Sequence, residues 1–257
     1  MKATLKSLAP QWFKKRVKAR MASRRAAAFR RASLRKTLGE SATAVCDSSL
    51  EFCAGQRENE IVQFLNLAMS TNPSVIGEIG SDRGGNLFLF SLIAPPEGRL
   101  VSIEIGDDLV QRAVYRRLVG PRQKLLCVGG DSHRPATRER VRTALAGNLF
   151  NVLFIDGDHS YEGVAADFKM YAPLVRCGGI IGFHDIVADV FQRYGRPTPS
   201  ETGGVWRFWR EIKDRYPEHW EFVDDPEQDG FGIGAIRWPG VFSPPTTLPP
   251  DMNPPRM

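Results

Sequence analysis

The first 39 positions of the chain hold no aspartate or glutamate. Nowhere does a run of about 18 apolar residues occur, so no segment reads as a membrane-spanning helix. The basic N-terminal stretch lacks a continuous apolar core and a small-residue cleavage site, so it does not read as a secretory signal. Cysteine is scarce: Cys46, Cys53, Cys127 and Cys177. Only the first two lie close together, and their spacing matches no zinc pattern. They are expected to be reduced, mostly buried thiols of a cytoplasmic protein. A G-x-G-x-x-G turn is also missing; from Gly77 the spacing is G-x-x-G-x-x-x-G-G. This weakens, without removing, the alternative of an NAD(P)-dependent Rossmann oxidoreductase.

The missing acid at the start unbalances the charge. Of 35 basic residues, 13 lie in the first 39 positions, which leaves 22 against all 29 acidic ones. A basic arm is joined to a mildly acidic body. Within the arm Leu5, Leu8, Trp12, Phe13, Val17 and Met21 recur at roughly helical spacing, and Ala22 to Arg35 continues with good helix formers. One or two helices are expected, with a break at Pro10. The arm reads as a solvated extension or as a helix on an anionic membrane surface, peripheral to the inner face. Nucleic acid is the weaker partner, because the charge comes without interleaved recognition chemistry.

From about Glu58 the pattern changes to alternating strands and helices. Strands are expected at Ser74–Gly80, Arg99–Ile105, Lys124–Val128, Asn151–Ile155 and Gly179–Phe183. Helices are expected at Glu60–Met69, Asn86–Ile93, Asp107–Leu118, Thr137–Ala146, Gly163–Leu174 and Val205–Tyr216. Two further strands, Trp220–Val223 and Phe231–Arg237, flank a polar turn and read as a closing hairpin. The alternation predicts an α/β fold with a doubly wound, mostly parallel sheet, Rossmann-like and seven-stranded, ending in an antiparallel hairpin. The expected division is a basic extension over 1–57, a ligand-binding domain over 58–238 and a proline-rich, disordered tail over 239–257.

In an open parallel sheet, ligands bind beyond the carboxyl ends of the strands. Those ends carry Glu78 to Ser81, then Glu104, then Gly129 to Ser132, then Asp156 to His159, then His184 and Asp185. The glycine turn at Gly80–Gly84 lets backbone approach a ligand, and the helix start behind it favours an anion. Glu104, 24 residues beyond Gly80, suits a ribose. Polar groups from five strands at one edge form a candidate site.

Three segments carry a resemblance: Glu78-Ile-Gly-Ser-Asp-Arg-Gly-Gly-Asn86, Phe154-Ile-Asp-Gly-Asp-His-Ser-Tyr-Glu-Gly163 and Gly178-Gly-Ile-Ile-Gly-Phe-His-Asp185. Over about residues 58 to 238 the chain resembles the class I S-adenosylmethionine-dependent methyltransferases. The nearest group is small-molecule O-methyltransferases related to the catechol, caffeoyl-CoA and macrolide-sugar enzymes. The resemblance implies that Glu78, Gly80, Ser81 and Gly84 frame the methionine part of the cofactor, that Glu104 holds the ribose, and that Asp131 and Ser132 lie beside the adenine. Asp156 borders both cofactor and catalytic centre. In catechol-like relatives, acids after strands four and five hold a divalent metal such as Mg2+. Asp156, Asp158 and Asp185 stand in those places, with His184 where an acid is usual; a His–Asp pair suits other ions better.

The implied reaction displaces a sulfonium methyl with a hydroxyl oxygen of a small molecule or glycan. An alkyl hydroxyl needs a base or a metal at neutral pH. His159 and His184 are the candidate bases, with Asp156 beside them. Trp206 and Trp209 follow the long loop Asp189–Thr202 and read either as a lid over the acceptor or as core. The remaining alternative is a membrane- or RNA-recruited scaffold that keeps the methyltransferase-like fold without turnover.

Overall fold

The computed structural model describes residues 10–242 apart from 47, 48, 50, 107 and 201. The start of the arm, with Leu5 and Leu8, and the tail beyond 242 lie outside the described residues.

Seven strands form one sheet in the order β3-β2-β1-β4-β5-β7-β6. They are β1 Val75–Ile79, β2 Arg99–Glu104, β3 Lys124–Gly129, β4 Phe150–Ile155, β5 Val175–His184, β6 His219–Phe222 and β7 Ile233–Arg237. The first five run parallel, while β7 runs antiparallel to both β5 and β6. The expected fold class and closing hairpin are therefore present. The registers Ile79↔Ile103, Ile103↔Val128, Ile79↔Ile155 and Ile155↔Phe183 align the carboxyl ends of all five parallel strands.

Helices cover both faces, as buried parallel strands require. The helices are α1 Gln11–Ser33, α2 Leu38–Cys46, α3 Glu58–Met69, α4 Gly85–Ile93, α5 Leu109–Leu118, α6 Pro135–Leu145, α7 Tyr161–Tyr171, α8 Val190–Tyr194 and α9 Val205–Ile212. One apolar layer joins Phe64 of α3 and Phe88 and Phe90 of α4 to Phe154 of β4. The other joins Phe168 of α7, Phe208 and Trp209 of α9 and Trp238 to Phe183 of β5. Each such fully buried aromatic contributes about 1.5–3 kcal/mol of transfer free energy. Helix starts follow local chemistry. Asp108 accepts from Val110 N at 3.1 Å to cap α5, and Ser160 accepts from Gly163 N at 2.9 Å to cap α7.

The compositionally distinct arm is docked, not a solvated extension along its whole length. After Pro10, α1 lays Ala19, Ala22 and Ala26 against the body, chiefly on α5. Arg30 Nη1 donates to Ser91 Oγ at 2.8 Å and to Leu118 O at 2.5 Å. Arg25 grips Glu51 at 2.6–3.0 Å. The chain after α2 returns to the sheet, where Cys53 and Ala54 press on Gly85. Among the described residues no helix is long and apolar enough to cross a membrane. All four cysteines are free; Cys53 is buried, Cys46 and Cys127 are half-buried and Cys177 is exposed, so the expectation of mostly buried thiols holds only in part.

Candidate active site

The aligned strand ends enclose a cleft of about 550 Å³. Ile79 and Gly80 form its floor, Glu104 and Ile105 one wall, Gly130 to His133 the next, and Asp156 to His159 the other. Of the sequence-predicted residues, Gly80, Glu104, Asp131, Ser132, Asp156, Asp158 and His159 line it. Glu78 and Ser81 are buried behind it, at 1% and 4% exposure.

Gly80 has φ +85°, and a Cβ there would collide with the carbonyl oxygen of Asp156. A close backbone approach does demand glycine, but the approaching partner is the neighbouring strand's turn. Gly84, φ +85°, likewise starts α4 beneath Tyr115 and Leu118 and does not line the cleft. Both glycines shape the turn rather than leave room for a ligand.

The turn and the acid after β2 are locked together. Glu104 Oε2 accepts from Ser81 N and Asp82 N, both at 3.0 Å, and its Oε1 accepts from Ile105 N at 3.0 Å. A carboxylate has about four acceptor positions, so one remains for a ligand hydroxyl. On the third wall Asp131 accepts from His133 N at 2.9 Å and from Arg134 Nε at 3.1 Å. His133 lines the cleft while its Nε2 lies 3.4 Å from buried Asp167. Sequence reasoning passed over His133, although it directly follows Asp131-Ser132.

Behind the floor sits an unsatisfied polar cluster. Both oxygens of Glu78, Ser81 Oγ, Asn86 Oδ1 and Gln56 Oε1 are buried without a hydrogen-bond partner. Burial pushes the Glu78 carboxyl up to about 8; Ser81 and Asn86 lie beside it and offset part of that effect, but neither reaches it in hydrogen-bond geometry. Orphaned acceptors in a protein interior cost roughly 1–3 kcal/mol each. Such a cluster suits a cationic ammonium bearing several donors. Gln56 was invisible in the sequence, because it precedes the first motif by more than 20 positions. Its Nε2 donates to Asp156 Oδ2 at 2.9 Å, so the stretch before α3 supplies part of the site.

The remaining wall is a chain of two acids and two histidines. His184 Nδ1 lies 3.0 Å from Asp156 Oδ1, and His159 Nδ1 lies 2.9 Å from Asp185 Oδ2. Asp185 adopts φ +63°, a strained conformation for a residue with a Cβ. Burial opposes charge on His184, but Asp185 and Asp156 together outweigh it and push its pKa up to about 9. Burial also opposes charge on Asp185, but His184 and His159 hold its carboxyl below the ordinary range. The two acids therefore favour the protonated form of His184, while its Nε2 is buried without a hydrogen-bond partner.

Metal ligation fares no better. Asp156 and Asp185 are each engaged by a histidine, and Asp158 Oδ1 turns away to accept from Ser160 N at 2.8 Å. Among the described residues no group of three or more His, Cys, Asp or Glu side chains is arranged to hold a metal ion. As arranged, the expected set Asp156, Asp158 and Asp185 does not fit one.

A second cleft, of about 520 Å³, opens beside the first and shares Asp158 and His159 with it. Its far side comes from the 189–203 loop: Asp189, Gln192, Thr198 and Ser200, with Phe191 over half exposed. The tryptophans are not its lid. Trp209 is buried in the core with its Nε1 on Glu221, and Trp206 lines a different surface hollow.

Comparison with known families meets this geometry at the same residues. Residues 78–186 match the family model described as a methyltransferase domain. The match runs from Glu78 through the end of β5, so it takes in every motif of the cleft and leaves out the N-terminal helices and the hairpin. Over those residues the chain is similar to a methyltransferase domain. Solved structures agree in fold. The O-methyltransferase TomG of Streptomyces achromogenes, involved in tomaymycin synthesis and solved with S-adenosylmethionine, is 20% identical with a TM-score of 0.51, over 77% of this chain and 88% of its own. An O-methyltransferase of Bacillus cereus, solved with S-adenosylhomocysteine, is 19% identical with a TM-score of 0.52, over 79% and 91%. No curated protein sequence matches the chain.

Proposed function

We propose that the protein transfers a methyl group from S-adenosylmethionine to a hydroxyl oxygen of a small molecule or sugar, with His159 as the base. The observation that carries this reading is the meeting of two clefts at one histidine. The first cleft suits the cofactor, because the orphaned acceptors of Glu78, Ser81, Asn86 and Gln56 lie behind its floor, while Glu104, Asp131, Ser132 and His133 line its walls. When bound, the cofactor supplies an electrophilic methyl carbon on a sulfonium.

The chain's own residues do the rest. Glu78 and Asn86 accept from the ammonium, and Glu104 accepts from one ribose hydroxyl. The acceptor occupies the second cleft, where Asp189, Gln192, Thr198 and Ser200 offer hydrogen bonds. Asp185 fixes His159 through Nδ1, and Nε2, 3.7 Å from Asp156 Oδ1, takes the acceptor's proton, in the way an acid orients a catalytic imidazole. His184, whose protonated form Asp185 and Asp156 favour, balances the acids beneath. No step runs through a metal. No observation favours an NAD(P) oxidoreductase or an inactive scaffold, and the antiparallel β7 departs from the usual dinucleotide sheet.

Calorimetry with S-adenosylmethionine and with NAD(P), followed by a screen of hydroxylated acceptors with labelled methyl donor with and without chelator, tests the reading. Cofactor binding and chelator-resistant labelling support it. Binding of NAD(P) alone overturns it, and dependence of labelling on an added divalent cation overturns the metal-free mechanism.

A further inference from the structure

From the outer face of α1 we infer that this helix docks the protein on an anionic phospholipid bilayer, with the cofactor cleft at the rim of the docked surface. The buried side of α1 is its row of alanines, Ala19, Ala22 and Ala26. At 100° per residue, Phe13, Val17 and Met21 fall on the opposite side and form an i, i+4, i+8 row. They are 48%, 42% and 56% exposed. Arg16, Arg20, Arg24 and Arg31 are exposed beside this row, and α1 contains no acidic residue. An apolar row edged by arginines fits the boundary between lipid headgroups and acyl chains.

Two further observations point to lipid. The rest of the chain carries an excess of acid, 29 against 22 basic residues beyond position 39, so an anionic surface repels the body and selects this face. The geometry also places the helix usefully. Lys15 pairs with Asp108 at 3.3 Å, four residues beyond Glu104, whereas Arg30 reaches Leu118 at the far end of α5. The N-terminal turns of α1 therefore lie at the carboxyl edge of the sheet, where the cleft opens. There Trp12, Ile105 and Leu109 are 62%, 79% and 47% exposed. Trp12 borders a hollow shared with Lys15, Lys18 and Asp108, between the docked face and the cleft wall.

The proposal is independent of the reaction assigned to the cleft, and its test needs no turnover. The full-length protein is sedimented with phosphatidylserine–phosphatidylcholine vesicles and with phosphatidylcholine vesicles, at low and high salt. The expected result is binding to the anionic vesicles only, lost at high salt. Replacing Arg16, Arg20 and Arg24 together by glutamate abolishes sedimentation, since each basic side chain near such a surface is worth about fivefold in partitioning. Phe13→Ser with Met21→Ser weakens it several-fold and leaves the salt dependence. Both variants keep the wild-type thermal transition, because the changed side chains face solvent. Failure of the wild-type protein to sediment at low salt, or equal sedimentation of wild type and the arginine variant, overturns the proposal. So does tighter binding to single-stranded RNA than to vesicles at the same salt.

Discussion

Two buried glutamates divide the molecule into a structural region and a working one. Glu60 of α3 is fully buried at the hairpin junction, where Oε1 accepts from Gln228 Nε2 at 2.7 Å and Asp224 N at 3.2 Å, and Oε2 from Gly232 N at 2.9 Å. Glu78 of β1 is equally buried at the cleft, and neither of its oxygens has a partner. Burial raises both carboxyls above their ordinary range. Identical burial with opposite satisfaction separates a side chain that completes the fold from one that the proposed function assigns to the cofactor.

The largest expected effect sharpens the contrast on the working side. His159→Ala should lower labelled-methyl turnover by about 10²–10⁴-fold, the usual contribution of a positioned base. Cofactor affinity by calorimetry should change less than twofold. A proportional loss of cofactor binding would place His159 among the cofactor's ligands and leave the base unassigned.

Next comes the structural side. Glu60→Ala strands the Gly232 and Asp224 N–H groups and the Gln228 amide, and should cost about 2–4 kcal/mol by urea denaturation. Glu78→Gln should leave the stability of the unliganded protein unchanged or higher, because it removes a poorly solvated acid. It should weaken cofactor binding by about tenfold, the worth of one charge-assisted hydrogen bond. If the two variants lose stability equally, the division between the regions fails.

What could be read from residues alone follows the same division. The strand pattern, the closing hairpin and the five polar strand ends were legible, because burial in a parallel sheet dictates apolar runs that stop abruptly at polar edges. The partners of those polar groups were not. Nothing local in the sequence tells that Glu60 is saturated by residues some 165 positions away or that Gln56 reaches Asp156. Nor does it show that two acids lie beside His184 and favour its protonated form. The arm misled for a related reason. Its charge suggested a separate solvated piece, while the few alanines that dock it carry no strong periodic signal.

The smallest expected effect is a pH slope that only one of the two glutamates should lose on binding. Glu78 has a folded-state pKa of about 8, against about 4.3 when unfolded. The folded protein therefore holds the extra proton between those values. Stability from this group is fully present below the unfolded value and is lost as pH rises through about 8. His184, raised to about 9, acts in the same direction, so the wild-type slope alone does not isolate Glu78. The difference between wild type and Glu78→Gln does. Without cofactor, that difference should fall steadily from pH 5 to 8. With saturating S-adenosylmethionine it should flatten, because an ammonium beside Glu78 keeps the carboxylate ionised and proton release moves to the binding step. Cofactor affinity should correspondingly rise with pH up to about 8. The corresponding difference for Glu60→Gln should keep its slope with or without cofactor, since its partners are all protein groups. Chemical-denaturation midpoints at several pH values measure all four slopes. A cofactor-independent Glu78 slope would place that residue with Glu60 in the structural class.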